Sequence, residues 1–403
     1  MSDFDLMALP ATGSRIFIAA GEVSGDRQAA YLARALKSQN PHIELYGSGG
    51  NRMREAGIDV RIQTSHLGCV GFQESLHNLP PLRKVMSSLH SLLLKDPPDL
   101  AVLVDNEGFN GMLAKFLSNR GIPFIYYFPP QVWLWGEWRA RSIASRAELI
   151  IPAFEAEARI YHREGGNVQW FGHPLLDIVK PETDFFSAAN EAGLDPARPI
   201  LAVMPGSRFQ EIEQLTSSLL GAARVITESR PQFQIILPLA APHLRPVLEQ
   251  QIDAAGLSGR ITIITHNVYT LLASSHLALL SSGTATLELA LLGVPMVVAY
   301  RVKPVTYLLG KILVRTRFIA MPNILLDQRI VPELIQDEVS TQRFASEAAK
   351  ILDDKTHANW MRTQLARIRP MLGREGVLSR AASAILAEAE KSHAMAREAV
   401  VEK

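Results

Sequence analysis

Short apolar runs alternate along most of the chain with stretches whose apolar residues recur at helical spacing. In the first part of the chain, the runs predict strands at Arg15–Ala20, Ile43–Tyr46, Leu100–Asp105, Pro123–Tyr127, Leu149–Ile151 and Val168–Phe171. A helix that starts near Gly25 has Ala29, Leu32 and Leu36 on one face. Strands and helices that alternate in this way are typical of a parallel sheet with crossover helices.

The alternation pauses and then resumes, which predicts two α/β domains. Residues 173–199 are rich in proline, aspartate and small residues, as linkers are. Further strands are predicted at Ile200–Met204, Phe233–Leu237, Ile261–Ile264, Leu277–Leu280 and Met296–Ala299. We therefore predict a domain at 1–175, a second domain at 176–365 and a helical segment at 366–403. Both domains are expected to be doubly wound, Rossmann-like sheets that face a central cleft.

The charge balance and the single cysteine exclude several classes of protein. The formal net charge is +1, so the chain as a whole offers no electrostatic reason to bind nucleic acid. Cys69 is the only cysteine, which excludes an intrachain disulfide and a cysteine-based zinc site and fits a reducing compartment. The histidines lack metal-binding spacing, so we expect neither a metal nor a cofactor. The N-terminus does not resemble a secretory signal and no apolar run is long enough to span a bilayer, which predicts a cytoplasmic protein.

Two polar motifs follow predicted strands of the first domain. Gly21–Asp26 joins a strand to a helix, and the backbone N–H groups of such a junction favour an anion or a polar sugar. An ordinary turn in which Ser24 or Asp26 caps the helix fits equally well. Asp105 ends another strand, where a general base would be useful, although a capping or solvated aspartate is the alternative. The candidate residues of these motifs are Glu22, Ser24, Gly25, Asp105 and Asn110.

Two other segments of the first domain have a composition that suits a lipid. Tyr126–Trp135 places several aromatic residues after a strand, which fits a wall for acyl chains and sugars and also fits an ordinary core. Leu67–Leu94 mixes apolar residues with Arg83 and Lys84. This segment predicts either a surface that lies on anionic lipid or a helix packed on the sheet.

Three motifs of the second domain predict a nucleotide-sugar site. Met204–Arg208 combines a strand, a glycine turn, a hydroxyl and an arginine at a helix N-terminus, which suits a diphosphate, and it lacks the ending of a Walker P-loop. Ser281–Glu288 also leads from a strand into a helix, with hydroxyls for phosphate and a glutamate for ribose; a capping box is the alternative. Met321–Leu325 contains an asparagine suited to uracil or sugar. The candidates are Gly206, Ser207, Arg208, Ser282, Gly283, Thr284, Glu288, Arg301 and Asn323.

Taken in order, these motifs resemble the lipid-A-disaccharide synthase family. The resemblance runs from about Arg15 to Ile335 and includes GEVSGD, VGFQESL, VWLW, FGHPLLD, MPGSR, SGTATLELALLGVPMVVAYR and MPNIL. The family usually has Pro-Asp where this chain has Glu107-Gly108, and Ser-Pro-Ser within the stretch that is 128–131 here. Both differences fall in the domain that is expected to hold the acceptor.

The resemblance implies a GT-B fold and a defined reaction. The enzyme would join UDP-2,3-diacylglucosamine to 2,3-diacylglucosamine 1-phosphate, giving a β-1,6-linked disaccharide 1-phosphate and UDP in lipid A biosynthesis. It also implies peripheral association with the cytoplasmic face of the inner membrane and a homodimer with exchanged C-terminal segments. We predict that Asp105 is the general base and that Arg208 offsets the charge on the leaving diphosphate.

Two other functions stay open on the sequence alone. A UDP-N-acetylglucosamine 2-epimerase, or another GT-B enzyme with a soluble acceptor, would share the nucleotide-sugar motifs and would not need a membrane surface. A non-catalytic relative would bind a nucleotide sugar or a lipid as a sensor. The joint presence of Asp105, Arg208, Glu288 and Asn323 favours an enzyme, because a pure binding protein does not need the carboxylate.

Overall fold

The computed structural model describes residues 14–64, 79–313 and 316–401, and it divides the chain into two compact units. The first unit comprises the described residues up to Gly172 together with those from Gly376 onward, and the second is His173–Glu375. The first division lies close to the boundary predicted at residue 175. The second lies ten residues beyond the boundary predicted at residue 365, and the segment after it returns to the first unit.

The first unit is built on one parallel sheet. Its strands are β1 (Arg15–Ala20), β2 (Glu44–Gly49), β3 (Asp59–Gln63), β4 (Leu100–Val104), β5 (Phe124–Tyr127) and β6 (Leu149–Ile151). Its helices are α1 (Val23–Gln39), α2 (Asn51–Glu55), α3 (Leu79–Lys95), α4 (Glu107–Asn119), α5 (Ala140–Ala144), which follows a 3-10 turn at Glu137–Arg139, and α6 (Glu155–Arg163). The strand order is β3-β2-β1-β4-β5-β6.

The second unit repeats this plan. Its strands are β7 (Ile200–Met204), β8 (Gln234–Pro238), β9 (Ile261–Ile264), β10 (Ser275–Ser281), β11 (Met296–Tyr300) and β12 (Glu333–Ile335). Its helices are α7 (Leu175–Ile178), α8 (Phe185–Glu191), α9 (Phe209–Ser229), α10 (Arg245–Ala254), α11 (Val268–Ala273), α12 (Thr284–Leu291), α13 (Pro304–Leu313), α14 (Met321–Leu326), α15 (Thr341–Asp353), α16 (Lys355–Ala366) and α17 (Ile368–Met371), with 3-10 turns at Pro242–Leu244 and Gln336–Glu338. The strand order is β12-β11-β10-β7-β8-β9.

Counted within each unit, both sheets have the Rossmann order 3-2-1-4-5-6. The order reverses between β1 and β4 in the first sheet and between β7 and β10 in the second, and both of these pairs are parallel. In open α/β sheets, ligands bind outside the carboxyl ends of the strands at such a reversal. The motifs that end at Asp26, Asp105, Arg208 and Glu288 follow these four strands.

The first sheet is covered on both faces by apolar helices. On one face, Leu32 of α1 packs in the same cluster as Ile385 of α18 (Val377–Val401), the helix by which the chain returns to this unit. On the other face, α3 and α4 bury side chains such as Leu89 and Leu113. Within the described ranges, no helix combines the length and the apolar character needed to cross a bilayer.

The segment predicted at Leu67–Leu94 is only partly described, because residues 65–78 lie outside the described ranges. In its described part, Met86, Leu89 and Leu93 are buried against the first sheet. Leu94 is 52% exposed. For α3, the structure therefore favours the second of the two interpretations, a helix packed on the sheet.

Candidate functional site

The first two motifs meet at the carboxyl edge of the first sheet. β1 and β4 end side by side, with Ala20 opposite Val104. A Cβ atom at Gly21 would lie 2.7 Å from the Asn106 Nδ2 atom, and one at Gly25 would lie 3.4 Å from the Val104 carbonyl oxygen. Glycine at these two positions therefore allows the start of α1 to approach the end of β4.

The carboxylate of Asp26 caps a neighbouring helix and not its own. It accepts hydrogen bonds from the backbone N–H groups of Gly50 at 2.7 Å and Met53 at 3.2 Å, at the start of α2. Burial raises the pKa of Asp26, and these hydrogen bonds oppose the rise. At the start of α1, the N-cap residue Glu22 makes no side-chain cap, and Glu22 and Ser24 are half-buried at the sheet edge.

Asp105 lies in a strained turn at the end of β4. Asp105 and Asn106 have φ of 53° and 43°, and Phe128, after the adjacent strand β5, has φ of 60°. Such values in residues other than glycine are uncommon and cluster at functional sites. The Asp105 N–H donates to the Tyr127 carbonyl oxygen at 3.1 Å, so the turn is fixed to β5. Asp105, the predicted general base, is half-buried at this edge.

Asn110 holds that turn from inside the protein. Its side chain is fully buried, and its amide donates to the carbonyl oxygens of Val104 at 2.9 Å and Asp105 at 2.7 Å. The sequence predicted that Asn110 contacts substrate. Its position corrects this to a positioning role, in which it fixes the backbone of Asp105.

Glu157 is a buried acid near Asp105 that the sequence analysis missed. Its carboxyl group accepts from Trp133 Nε1 at 3.1 Å and from the backbone N–H groups of Ala153 at 3.1 Å and Phe154 at 3.3 Å. Burial raises its pKa to about 8, and the negative charge of Asp105 adds to the rise. In the sequence, Glu157 belongs to a charged helix that looks solvated throughout, so no pattern distinguished it.

We expect Glu157 to make stability fall with rising pH. Its folded pKa of about 8 lies above the ordinary value of 4.5, so the folded state binds the proton more tightly between these values. Its contribution is complete below pH 4.5 and is lost as the pH rises to 8, at roughly 1.4 kcal/mol per unit. Buried His173, whose pKa falls to about 3, has the opposite effect, because it makes stability rise with pH. That effect is confined to pH values below 6.5.

The measurement is the urea midpoint of unfolding at pH 6.5, 7, 7.5 and 8 for the unaltered protein and for Glu157→Gln. In this pH range Glu157 affects stability and His173 does not. The glutamine variant should lose the downward slope, whatever its absolute stability. Equal slopes in the two proteins would show that Glu157 is ionised at neutral pH.

At the carboxyl edge of the second sheet, a glutamate occupies the predicted diphosphate site. The Glu211 carboxylate accepts from the backbone N–H groups of Ser207 at 3.1 Å and Arg208 at 3.3 Å, and from the Arg208 guanidinium at 3.0 Å. Gly206 has φ of 124°, and a Cβ atom there would lie 3.0 Å from Ser281 Oγ. The residues that were predicted to bind a phosphate anion therefore bind the carboxylate of Glu211, an anion of the same chain.

The N-terminus of α12 lies beside this site and is exposed to solvent. Gly283 has φ of 154° and ψ of −160°, which is a conformation of glycine almost alone, and no atom lies within 4 Å of where its Cβ would be. Gly283 and Thr284 are exposed, whereas Glu288 is buried one turn further on; its contact with ribose stays a prediction. Ser282 Oγ donates to the Ile319 carbonyl oxygen at 3.1 Å and so fixes the following loop.

Two further candidates, Asn323 of α14 and Arg301 directly after β11, form hydrogen bonds within the protein. The fully buried Asn323 amide donates to Glu333 Oε1 at 2.9 Å and accepts from the Ile330 N–H at 2.7 Å. Arg301 donates to the Gln336 carbonyl oxygen at 3.1 Å. Asn323 thus connects α14 to β12, and Arg301 connects the end of β11 to the 3-10 turn at Gln336–Glu338. Their contacts with substrate stay a prediction.

Chemically, the two edges differ. The second sheet presents the Arg208 guanidinium and two helix N-termini, which together attract a diphosphate. The first sheet presents the Asp105 carboxylate near Glu157, a buried acid whose pKa burial raises to about 8. Among the residues that the structure describes, no group of three histidine, cysteine, aspartate or glutamate side chains is arranged to hold a metal ion.

Comparison with known proteins identifies close relatives over nearly the whole chain. A family model described as Lipid-A-disaccharide synthetase matches residues 16–387. The Lipid-A-disaccharide synthase of Geobacter sulfurreducens is 38% identical over 375 residues, covering 93% of this chain and 97% of that protein. That of Coxiella burnetii is 36% identical over 374 residues, covering 92% and 97%.

Solved structures share the fold at low sequence identity. The UDP-GlcNAc 2-epimerase of Neisseria meningitidis bound to UDP-GlcNAc has a TM-score of 0.59 at 14% identity, over 94% of this chain and 99% of that one. The S. aureus MnaA–UDP co-structure has a TM-score of 0.60 at 13% identity, over 91% and 94%. The glycotransferase of kitacinnamycin has 0.58 at 15%, over 94% and 100%. With the two Rossmann-like sheets, these likenesses show a GT-B fold.

Proposed function

This chain belongs to the Lipid-A-disaccharide synthetase family and is a glycosyltransferase of lipid A biosynthesis, and from that premise we propose its substrates. It joins UDP-2,3-diacylglucosamine to 2,3-diacylglucosamine 1-phosphate. The products are the β-1,6-linked disaccharide 1-phosphate and UDP. A single displacement at the anomeric carbon inverts its configuration from α to β.

The observation that carries this proposal is the anion site at the reversal of the second sheet. The Ser207 and Arg208 N–H groups and the Arg208 guanidinium already bind a carboxylate, and the exposed start of α12 lies beside them. A diphosphate has the same need for N–H donors and positive charge. We assign UDP to this edge, with Arg208 and Gly283–Thr284 offsetting the charge that grows on the leaving group.

We assign to Asp105 the role of general base, which takes the proton from the acceptor's 6-hydroxyl. Its turn is held by Asn110 and Tyr127 in a conformation that costs energy, which supports a requirement for this carboxylate in this orientation. Glu22, Ser24 and Gly25, which lie at the same edge, are proposed to contact the acceptor sugar.

The proposal includes a cytoplasmic location with peripheral binding to the inner membrane, because both substrates carry acyl chains that partition into a bilayer. Flotation with anionic vesicles tests this, and protein that stays at the bottom of the gradient at low salt would refute it. A homodimer with exchanged C-terminal segments is also proposed. In the structure, α18 packs on α1 of its own chain, so a cross-link between these two helices that forms only within one chain would refute the exchange.

The proposed reaction is tested by mass spectrometry of the products. The purified protein is incubated with both acylated substrates, once in buffer and once with EDTA. The expected result is the tetraacyl disaccharide phosphate with an equal amount of UDP in both mixtures. Binding of UDP without any disaccharide would instead favour a sensor. Conversion of UDP-N-acetylglucosamine to its 2-epimer would favour the activity of the structurally similar epimerases.

A further inference from the structure

A cavity of about 290 Å³ lies in the first unit. It is formed between α4 and the segment that runs from the 3-10 turn at Glu137–Arg139 through α5, above β5. Glu107, two residues after Asp105, is part of its lining. The cavity thus begins next to the proposed catalytic turn, and no residue of the mechanism given above lies in it.

The lining of the cavity is apolar inside and charged at the rim. Phe124 and Ala114 are buried apolar residues of the lining. At the rim, Arg139 is paired with Glu107, so the two charges offset each other. Arg146 is exposed and donates to Ser142 Oγ at 2.8 Å, and it leaves the rim with a net positive charge.

Tyr126 is part of the lining and is fully buried. Trp138 forms part of the lip and is 69% exposed, which is unusual for a tryptophan and suits contact with an amphiphile.

We propose that this cavity binds one acyl chain of the acceptor, with the anionic part of the molecule facing Arg146. This inference rests on the proposed function, because it takes the acceptor to be acylated. At the roughly 30 Å³ that one water molecule occupies in the liquid, the cavity has room for about ten groups of that size. A phosphate ion alone is too small and too polar for a lining that is mostly apolar.

The test narrows the cavity from two sides. Ala114→Phe adds a ring from α4, and Ile143→Trp adds bulk from α5; Ser118→Phe, on the exposed face of α4, is the matched control. The KM is measured for acceptors that carry decanoyl chains and for acceptors that carry butyryl chains. Each filling variant should raise the KM for the decanoyl acceptor by roughly tenfold and leave the butyryl acceptor unchanged. The control should change neither.

A second readout does not depend on turnover. A fluorescent decanoyl probe should bind the unaltered protein and be displaced by decanoate but not by inorganic phosphate, and Ala114→Phe should weaken its binding about tenfold. Probe binding with no disaccharide formed would contradict the proposed function and would still show that the cavity binds an acyl chain. Disaccharide formed by both filling variants with an unchanged KM for decanoyl acceptors would overturn the inference alone, as would displacement of the probe by phosphate.

Discussion

Asp105→Asn should lower kcat by roughly 10²- to 10⁴-fold while leaving the affinity for UDP unchanged. An amide cannot take the proton from the acceptor hydroxyl as that oxygen attacks, so the acceptor stays a poor nucleophile. Asparagine tolerates the left-handed conformation that this position has, so the turn itself should survive the substitution. The loss should therefore appear in the chemical step and not in folding.

The measurement is single-turnover product formation together with UDP binding by calorimetry. Asp59→Asn removes an acid whose side chain is 64% exposed on the edge strand β3, and it should leave both quantities unaltered. Loss of UDP binding in the Asp105 variant would show that this carboxylate shapes the nucleotide site. In that case the base must be sought elsewhere.

The buried strands could be predicted from the sequence because burial on both faces leaves an uninterrupted apolar run. β1, β6, β7 and β9 begin and end where the pattern placed them. The edge strands β3 and β12, DVRIQ and ELI, were missed because each is short and partly polar. The predicted strand at Val168–Phe171 was wrong, since only an isolated bridge from Val168 to Ile150 forms there.

The positions of the motifs followed from the same pattern, because a strand that ends at a known residue fixes what lies at the sheet edge. The direction of each side chain did not follow. Asn110 and Asn323 are adjacent in sequence to exposed turns, yet their amides point inward to backbone groups that only the folded chain brings near. Periodicity reports which face of an element is buried and carries no information on hydrogen bonds between such side chains and the backbone.

Glu211 is another residue whose side-chain contacts could not be predicted from the sequence, and these contacts affect the proposed mechanism. Its spacing from Arg208 fits a capping box, and the structure shows that the carboxylate binds both the helix N-terminus and the guanidinium. Burial raises the pKa of nearby Tyr300, and the charge of Glu211 adds to the rise while Arg208 opposes it. The arginine is therefore held in place before any nucleotide arrives, which lowers the cost of ordering it during the reaction.

Arg208→Ala should then lower kcat by roughly 10²- to 10³-fold, the usual effect of removing one donor that stabilises developing negative charge. Because the backbone N–H groups and the start of α12 remain, UDP should still bind, several-fold more weakly. Arg245→Ala removes an exposed arginine that is paired with Glu249 in the same unit, and it should have no effect. The measurement is kcat and the dissociation constant of UDP for each variant.

The role of Glu211 separates two explanations of such a loss. If Glu211 acts only by holding Arg208, the double variant Arg208→Ala, Glu211→Gln should be no slower than Arg208→Ala alone, because nothing remains to be held. If the carboxylate also competes with the diphosphate for the Ser207 and Arg208 N–H groups, Glu211→Gln should tighten UDP binding even without the guanidinium. Additive losses in kcat would contradict both explanations and would give Glu211 a role in the reaction that does not depend on Arg208.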